Sequence, residues 1–117
     1  MKESFTILLV LAVIFLIYRS MSSSPKSNEI KEAINAGALI VDVRTTGEFQ
    51  SGSYPGAKNI PLDTVPSRLA EFGDKSKPII VFCAAGGRSA QAKSILESNG
   101  FTKVYNAGGV GDILSLK

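Results

Sequence analysis

The stretch from Pro78 to Asn99 most restricts what this chain can fold into. An apolar run, Ile79-Ile80-Val81-Phe82, leads directly into Cys83-Ala84-Ala85-Gly86-Gly87-Arg88-Ser89, and a helical segment follows from Ser89 to Asn99. A continuous apolar run bounded by turn residues fits a strand covered on both faces. In the segment that follows, Ala92, Ile95 and Leu96 keep the i, i+3, i+4 spacing of a core-facing helical stripe, and Gly100 ends it. Strand, tight loop and helix in that order aim the loop's backbone N–H groups at the helix N-terminus. Unpaired donors and the helix dipole there favour an anion. The only cysteine of the chain stands at the entrance to this concavity.

The rest of the chain repeats the alternation. Asn28 to Ala36 reads as a short helix capped by Ser27, with Ile30, Ala33 and Ile34 on its apolar face and Gly37 at its end. Leu39-Ile40-Val41-Asp42-Val43 is a second covered strand with a carboxylate near its end. Thr45 or Thr46 can cap a turn through Glu48 and Phe49. Gly52 to Ala57 is a turn marked by Pro55-Gly56, and Lys58-Asn59-Ile60 is a short strand stopped by Pro61. A helix is expected from Asp63 or Thr64 to Gly73, with Pro66 in its first turn. The last strand centres on Val104-Tyr105. Gly108-Gly109 reads as a second glycine turn, and Asp112 to Leu116 as a closing helix. Strands alternating with helices make an α/β domain with a mainly parallel sheet. Ligands bind such sheets at the carboxyl ends of the strands, where Cys83, Arg44 and Asn106 all fall.

Three segments divide the chain: residues 1–20 as a hydrophobic anchor or signal segment, 21–27 as a flexible serine-rich linker, and 28–117 as the domain. Phe5 to Tyr18 is almost wholly apolar. As a helix it would be about 21 Å long, short for a bilayer core of roughly 30 Å. Lys2 precedes it, as in a signal peptide, but Arg19 follows at once and no Ala-x-Ala site appears. An uncleaved anchor in the cell envelope is the expectation, with the membrane as partner through residues 5–18. The flanking Arg19 and Lys26 place the domain on the cytoplasmic side, whereas the signal-like design places it outside.

Composition removes several kinds of chemistry. There is no histidine, which excludes Ser-His-Asp and Cys-His catalysis and histidine metal sites. One cysteine excludes an intrachain disulfide and a thiolate zinc site. No metal or cofactor is therefore expected. Net charge is +3 from 13 basic and 10 acidic residues spread along the chain, which gives no nucleic-acid footprint. A monomer is expected.

Any reactivity of Cys83 must come from the loop. The helix N-terminus and Arg88 lower a thiol pKa, and the tiny side chains of Ala84, Ala85, Gly86 and Gly87 leave a pocket lined by backbone N–H groups. Sulfur transfer needs only this. A thiolate attacks the outer sulfur of thiosulfate, sulfite leaves already ionised, and the resulting persulfide anion is held by the loop until a thiol or cyanide takes the sulfur. Phosphoryl or arsenate chemistry is the enzymatic alternative. The cysteine-phosphatase loop, however, has one more residue between Cys and Arg than Ala84 to Gly87 provide, and nothing singles out Asp42, Asp63 or Asp112 as the acid. A persulfide carrier without turnover is the non-enzymatic alternative. Arg88 is a candidate for binding substrate anions or for pairing with a carboxylate. Arg44 is read first as the i, i+4 partner of Glu48 and second as an anion-binding residue.

Three stretches together resemble the rhodanese family of sulfurtransferases: Val41-Asp42-Val43-Arg44 with Glu48-Phe49, Tyr54-Pro55-Gly56-Ala57 with Asn59-Ile60-Pro61-Leu62, and the Cys83–Ser89 loop. Ala90-Gln91-Ala92-Lys93, Ile95-Leu96 and Asn106-Ala107-Gly108-Gly109 with Asp112-Ile113 are similar to a small exported bacterial branch of that family, which favours the exported orientation. The resemblance implies a three-layer domain around a five-stranded parallel sheet, with the fifth strand near the linker. It also implies Cys83 as persulfide carrier, with Ala84, Ala85, Gly86, Gly87, Arg88 and Ser89 around the substrate. The chain departs from the family pattern at Ser53, where histidine is frequent, at Ile113, where an aromatic residue is frequent, and at Ala84 and Ala85, which are basic in some members.

Overall fold

The computed structural model describes residues 2–22 and 26–116. Helix α1 spans Lys2–Ser22, and its apolar side chains from Phe5 to Ile17 lie exposed around the helix. Among the described residues no helix is long and apolar enough to cross a membrane. Of the expected linker, residues 23–25 lie outside the described residues, Met21 and Ser22 belong to α1, and Lys26 and Ser27 open helix α2, Lys26–Asn35.

Strands β1 (Leu39–Asp42), β2 (Lys58–Asn59), β3 (Ile79–Cys83) and β4 (Val104–Gly109) form one parallel sheet in the order β2-β1-β3-β4. Four strands are thus present among the described residues, where the family resemblance implied five. The segment expected to supply the fifth is, as far as it is described, helical. All five residues of β3 are buried, and side chains alternate across it. Ile79, Val81 and Cys83 face one core with Val41 and Val43, covered by Ala92 and Leu96 of helix α4 (Gly87–Ser98) and by Val65 and Phe72. Ile80 and Phe82 face the other core, covered by Ile30 and Ala33 of α2 and by Ile113 of helix α5 (Val110–Leu114). The period of two therefore assigns Cys83 to the α4 side of the sheet. Burying a side chain of the valine or isoleucine class is worth about 1.5–3 kcal/mol, so β3, filled on both faces, is the rigid member from which the loop projects.

Three sequence expectations need correction. The helix expected from Asp63 to Gly73 is two 3-10 turns, Leu62–Ser67 and Leu69–Phe72. The Thr64 hydroxyl donates to the Pro61 carbonyl and the Ser67 hydroxyl to the Thr64 carbonyl, competing for groups an α-helical ladder would use. Helix α4 begins at Gly87, capped by Gly86 at φ 103°, so Arg88 and Ser89 lie in its first turn. Gly108-Gly109 does not turn: both residues belong to β4, and Gly109 pairs with Cys83 across a register shift.

Candidate active site

Cys83 ends β3 and is buried at 1% exposure. Burial pushes its thiol pKa up. Hydrogen bonds from the Ser89 hydroxyl and from the backbone N–H groups of Ser89, Ala85 and Gly86 outweigh that, and the net shift is downward. The Gly86 N–H lies 2.9 Å from Sγ and the Ser89 Oγ 3.3 Å. The loop thus presents its donors to sulfur, because Ala84 to Gly87 carry nothing larger than a methyl group to interpose and Gly86 adopts a positive φ that L-residues rarely take.

Ser89 is fully buried, and its single hydroxyl proton has three acceptors in reach: the Asn106 Oδ1 at 2.7 Å, the Gly86 carbonyl at 3.1 Å and Cys83 Sγ. Asn106 itself cannot turn over. Its Oδ1 accepts from the Gly108 N–H at 2.9 Å, and its Nδ2 donates to the Gly86 carbonyl at 3.1 Å. Asn106 therefore fastens the loop to β4. Close backbone approach completes the attachment: a Cβ on Gly109 would lie 2.4 Å from the Ala84 carbonyl oxygen, and one on Gly86 3.4 Å from the Gly108 Cα. The pair read as a turn is the surface on which the loop rests. In sequence, Asn106 was visible only as a polar residue at a strand end, with no sign of its partners.

Both arginines near the strand ends are paired with carboxylates. Arg44 donates from Nε and NH2 to Asp42, at 2.7 Å for the shortest contact, and also from NH2 to the Gly52 carbonyl at 2.7 Å. Asp42 is fully buried and also accepts from the Arg44 N–H and the Ser53 hydroxyl. Asn59 joins this cluster by donating to the Asp42 and Arg44 carbonyls, both at 3.0 Å. The expected Arg44–Glu48 pair is thus replaced. Residues 42 and 44 share one face of an extended chain, and helix α3 (Thr46–Gln50) starts only after Arg44.

Glu48 pairs with Arg88 instead, NH1 to Oε1 at 2.6 Å and NH2 to Oε2 at 3.0 Å. Thr45 caps α3 in a capping box: its Oγ1 accepts from the Glu48 N–H, and its own N–H donates to Glu48 Oε1. This arrangement fixes Glu48 in the first turn with its carboxylate toward α4. Hydrogen bonds from Arg88 first, and from Thr45 after it, lower the Glu48 pKa to about 2. Two hollows flank the loop. One, of about 550 Å³, includes Ala85, Gly86, Asn106, Gly108 and Asp112. The other, of about 470 Å³ and mostly apolar, includes Val43, Leu62, Pro66, Arg88 and Gln91. Among the described residues no cluster of acidic or cysteine side chains could hold a metal ion.

The fold and the loop together define an α/β domain with a parallel sheet that presents a cysteine sulfur to backbone N–H groups at a strand end. Residues 26–112 match the Rhodanese-like domain family, and the chain belongs to it. It is 46% identical over 74 residues to the thiosulfate sulfurtransferase PspE of Escherichia coli, covering 62% of this chain and 71% of that protein. It is also 36% identical over 75 residues to the thiosulfate sulfurtransferase GlpE of Stutzerimonas stutzeri, covering 64% and 68%. Among solved structures, a rhodanese with anions from E. coli superimposes with a TM-score of 0.62 at 43% identity, covering 65% of this chain and 91% of that one. The human single-domain sulfurtransferase TSTD1 superimposes with a TM-score of 0.68 at 30% identity, covering 77% and 93%.

Proposed function

We propose that the protein is a thiosulfate sulfurtransferase that carries sulfane sulfur as a Cys83 persulfide. The observation that carries this reading is the donation of the Gly86 N–H and the Ser89 hydroxyl to Sγ, which lowers the pKa of a buried thiol. The Cys83 thiolate attacks the outer sulfur of thiosulfate. A new S–S bond forms, the old one breaks, and sulfite departs with the electron pair, so no proton moves. The persulfide charge then sits on the outer sulfur, beside the N–H groups of Ala85, Gly86 and Ser89. A thiolate or cyanide attacks that outer sulfur, the bond to Sγ breaks, and the returning pair re-forms the Cys83 thiolate where the Ser89 hydroxyl can donate to it. Arg88 stands at the loop rim, paired with Glu48. Arg44, held by Asp42 and Gly52, supports the strand end on which Glu48 and its helix are mounted.

The transfer reading is tested by the intact mass of the full chain before and after thiosulfate. A gain of one sulfur atom that cyanide removes is expected, and none in Cys83→Ser, with an unchanged circular dichroism spectrum. Substantial transfer by the variant would sink the mechanism.

The exposed apolar side chains of α1 support a further part of the proposal, that this helix holds the domain at a membrane of the cell envelope. Retention of the full chain in washed membranes, and its release on deleting residues 4–17, is the expected result.

A further inference from the structure

The loop's one cation does not face the loop mouth unopposed. Arg88 is held by Glu48 through two parallel hydrogen bonds, at 2.6 and 3.0 Å, a geometry that spends both terminal nitrogens on one carboxylate. The other arginine close by, Arg44, is spent in the same way on Asp42 and Gly52. Glu48 is ionised throughout the physiological range, since its carboxyl titrates at about 2. An anionic donor approaching the Cys83 thiolate therefore meets a guanidinium whose charge is already cancelled. A doubly charged donor gains least from such a mouth, because the unbalanced thiolate repels it twice as strongly as a singly charged one.

We propose that Glu48 is a specificity-determining residue of this site, holding Arg88 neutralised and so weakening the hold on dianionic thiosulfate more than that on singly charged sulfane donors, the organic thiosulfonates and persulfides. The inference rests on the sulfur-transfer reading and deepens it by naming the charge class of the donor. Both side chains are 35% exposed, so the pair is reachable by solvent and by substrate. The capping box explains why Glu48 stays in place: the Thr45 N–H and hydroxyl donate to Oε1, the oxygen that also accepts from Arg88 NH1.

Glu48→Gln is the discriminating variant. Glutamine satisfies the same box, removes the charge and puts an amide donor where one of the two oxygens accepts from Arg88, so that the guanidinium is released. Steady-state kinetics of the full-length protein and of this variant are measured with two donors that share one chemistry, thiosulfate as the dianion and methanethiosulfonate as the monoanion. In each, the thiolate takes the outer sulfur, and sulfite or methanesulfinate leaves. In the variant, KM for thiosulfate is expected to fall roughly fivefold or more at low ionic strength, on the scale of one surface charge acting on two. KM for methanethiosulfonate should fall by about the square root of that factor, and the difference should shrink in high salt. An equal change for both donors, no change, or a rise in KM for thiosulfate would overturn the assignment. Sulfur gain at Cys83, followed by mass in the same samples, separates the two levels. Sulfur gained with charge-blind kinetics refutes the role of Glu48 alone. No sulfur gained from either donor by the parent protein refutes the transfer reading, and the specificity assignment with it.

Discussion

The active-site loop is held on its two sides by opposite means. On the β4 side it meets a largely buried contact: Asn106 bonds to the buried Ser89 and to the Gly86 carbonyl, and Gly109 approaches so closely that no space is left for a Cβ. On the α3 side it is held by a single ion pair between side chains that solvent reaches. Buried hydrogen bonds to polar groups are expensive to leave unmade, whereas exposed ion pairs contribute little to stability and respond to salt. The β4 side therefore sets where the sulfur and its donors are. The α3 side is free to adjust what charge a substrate meets, at small cost to the fold.

The largest expected effect comes from attacking the fixed side. Gly109→Ala places a methyl group 2.4 Å from the Ala84 carbonyl oxygen. Overpacking of this kind costs about 1–3 kcal/mol, visible as a lower urea midpoint, and it displaces the loop enough to remove most persulfide formation. A variant with parental stability and activity would show that β4 does not support the loop.

Ser89→Ala tests the same side more gently. It deletes one hydrogen bond to a charged sulfur, and activity near neutral pH should drop about tenfold, the scale of such a bond. The Cys83 thiol should also titrate higher, read from the pH dependence of its alkylation. An unmoved titration would leave the backbone N–H groups as the sole source of the lowered pKa. Because the folded thiol titrates below its unfolded value, its contribution to stability is complete above the unfolded pKa and is lost as pH falls through the folded one. Stability of the parent relative to Cys83→Ser should accordingly rise toward alkaline pH, and less steeply once Ser89 is alanine.

The smallest effect belongs to the adjustable side. Glu48 titrates at about 2 in the fold against an ordinary 4.5. Whatever stability the Arg88 pair provides is present above about pH 4.5 and lost as pH falls through about 2. The urea midpoints of the parent and of Glu48→Gln should stay close near neutral pH and converge in acid. A large gap at neutral pH would contradict the division between a fixed side and an adjustable one.

Much of this was legible in the sequence because local patterns carried it. The unbroken apolar run of β3, the small residues after Cys83 and the spacing of Ala92, Ile95 and Leu96 were enough for strand, loop and helix. Where two local rules competed, the sequence did not choose correctly. Arg44 and Glu48 have helical spacing, but Arg44 is extended, so the period-two neighbour Asp42 takes its guanidinium and Glu48 is left for Arg88, forty residues away in the chain. The stretch from Leu62 to Phe72 has helical punctuation, yet its threonine and serine hydroxyls hold carbonyls in tighter turns.

Residue types and contacts only a few positions apart were enough for the kind of domain and for the small-residue loop that presents its one cysteine at the end of β3. Tertiary structure alone decided that Asn106 and Gly108-Gly109 carry the loop and that Glu48 occupies Arg88. Those relations join strand and helix ends distant in sequence, and a parallel sheet brings them together only when every strand has found its register.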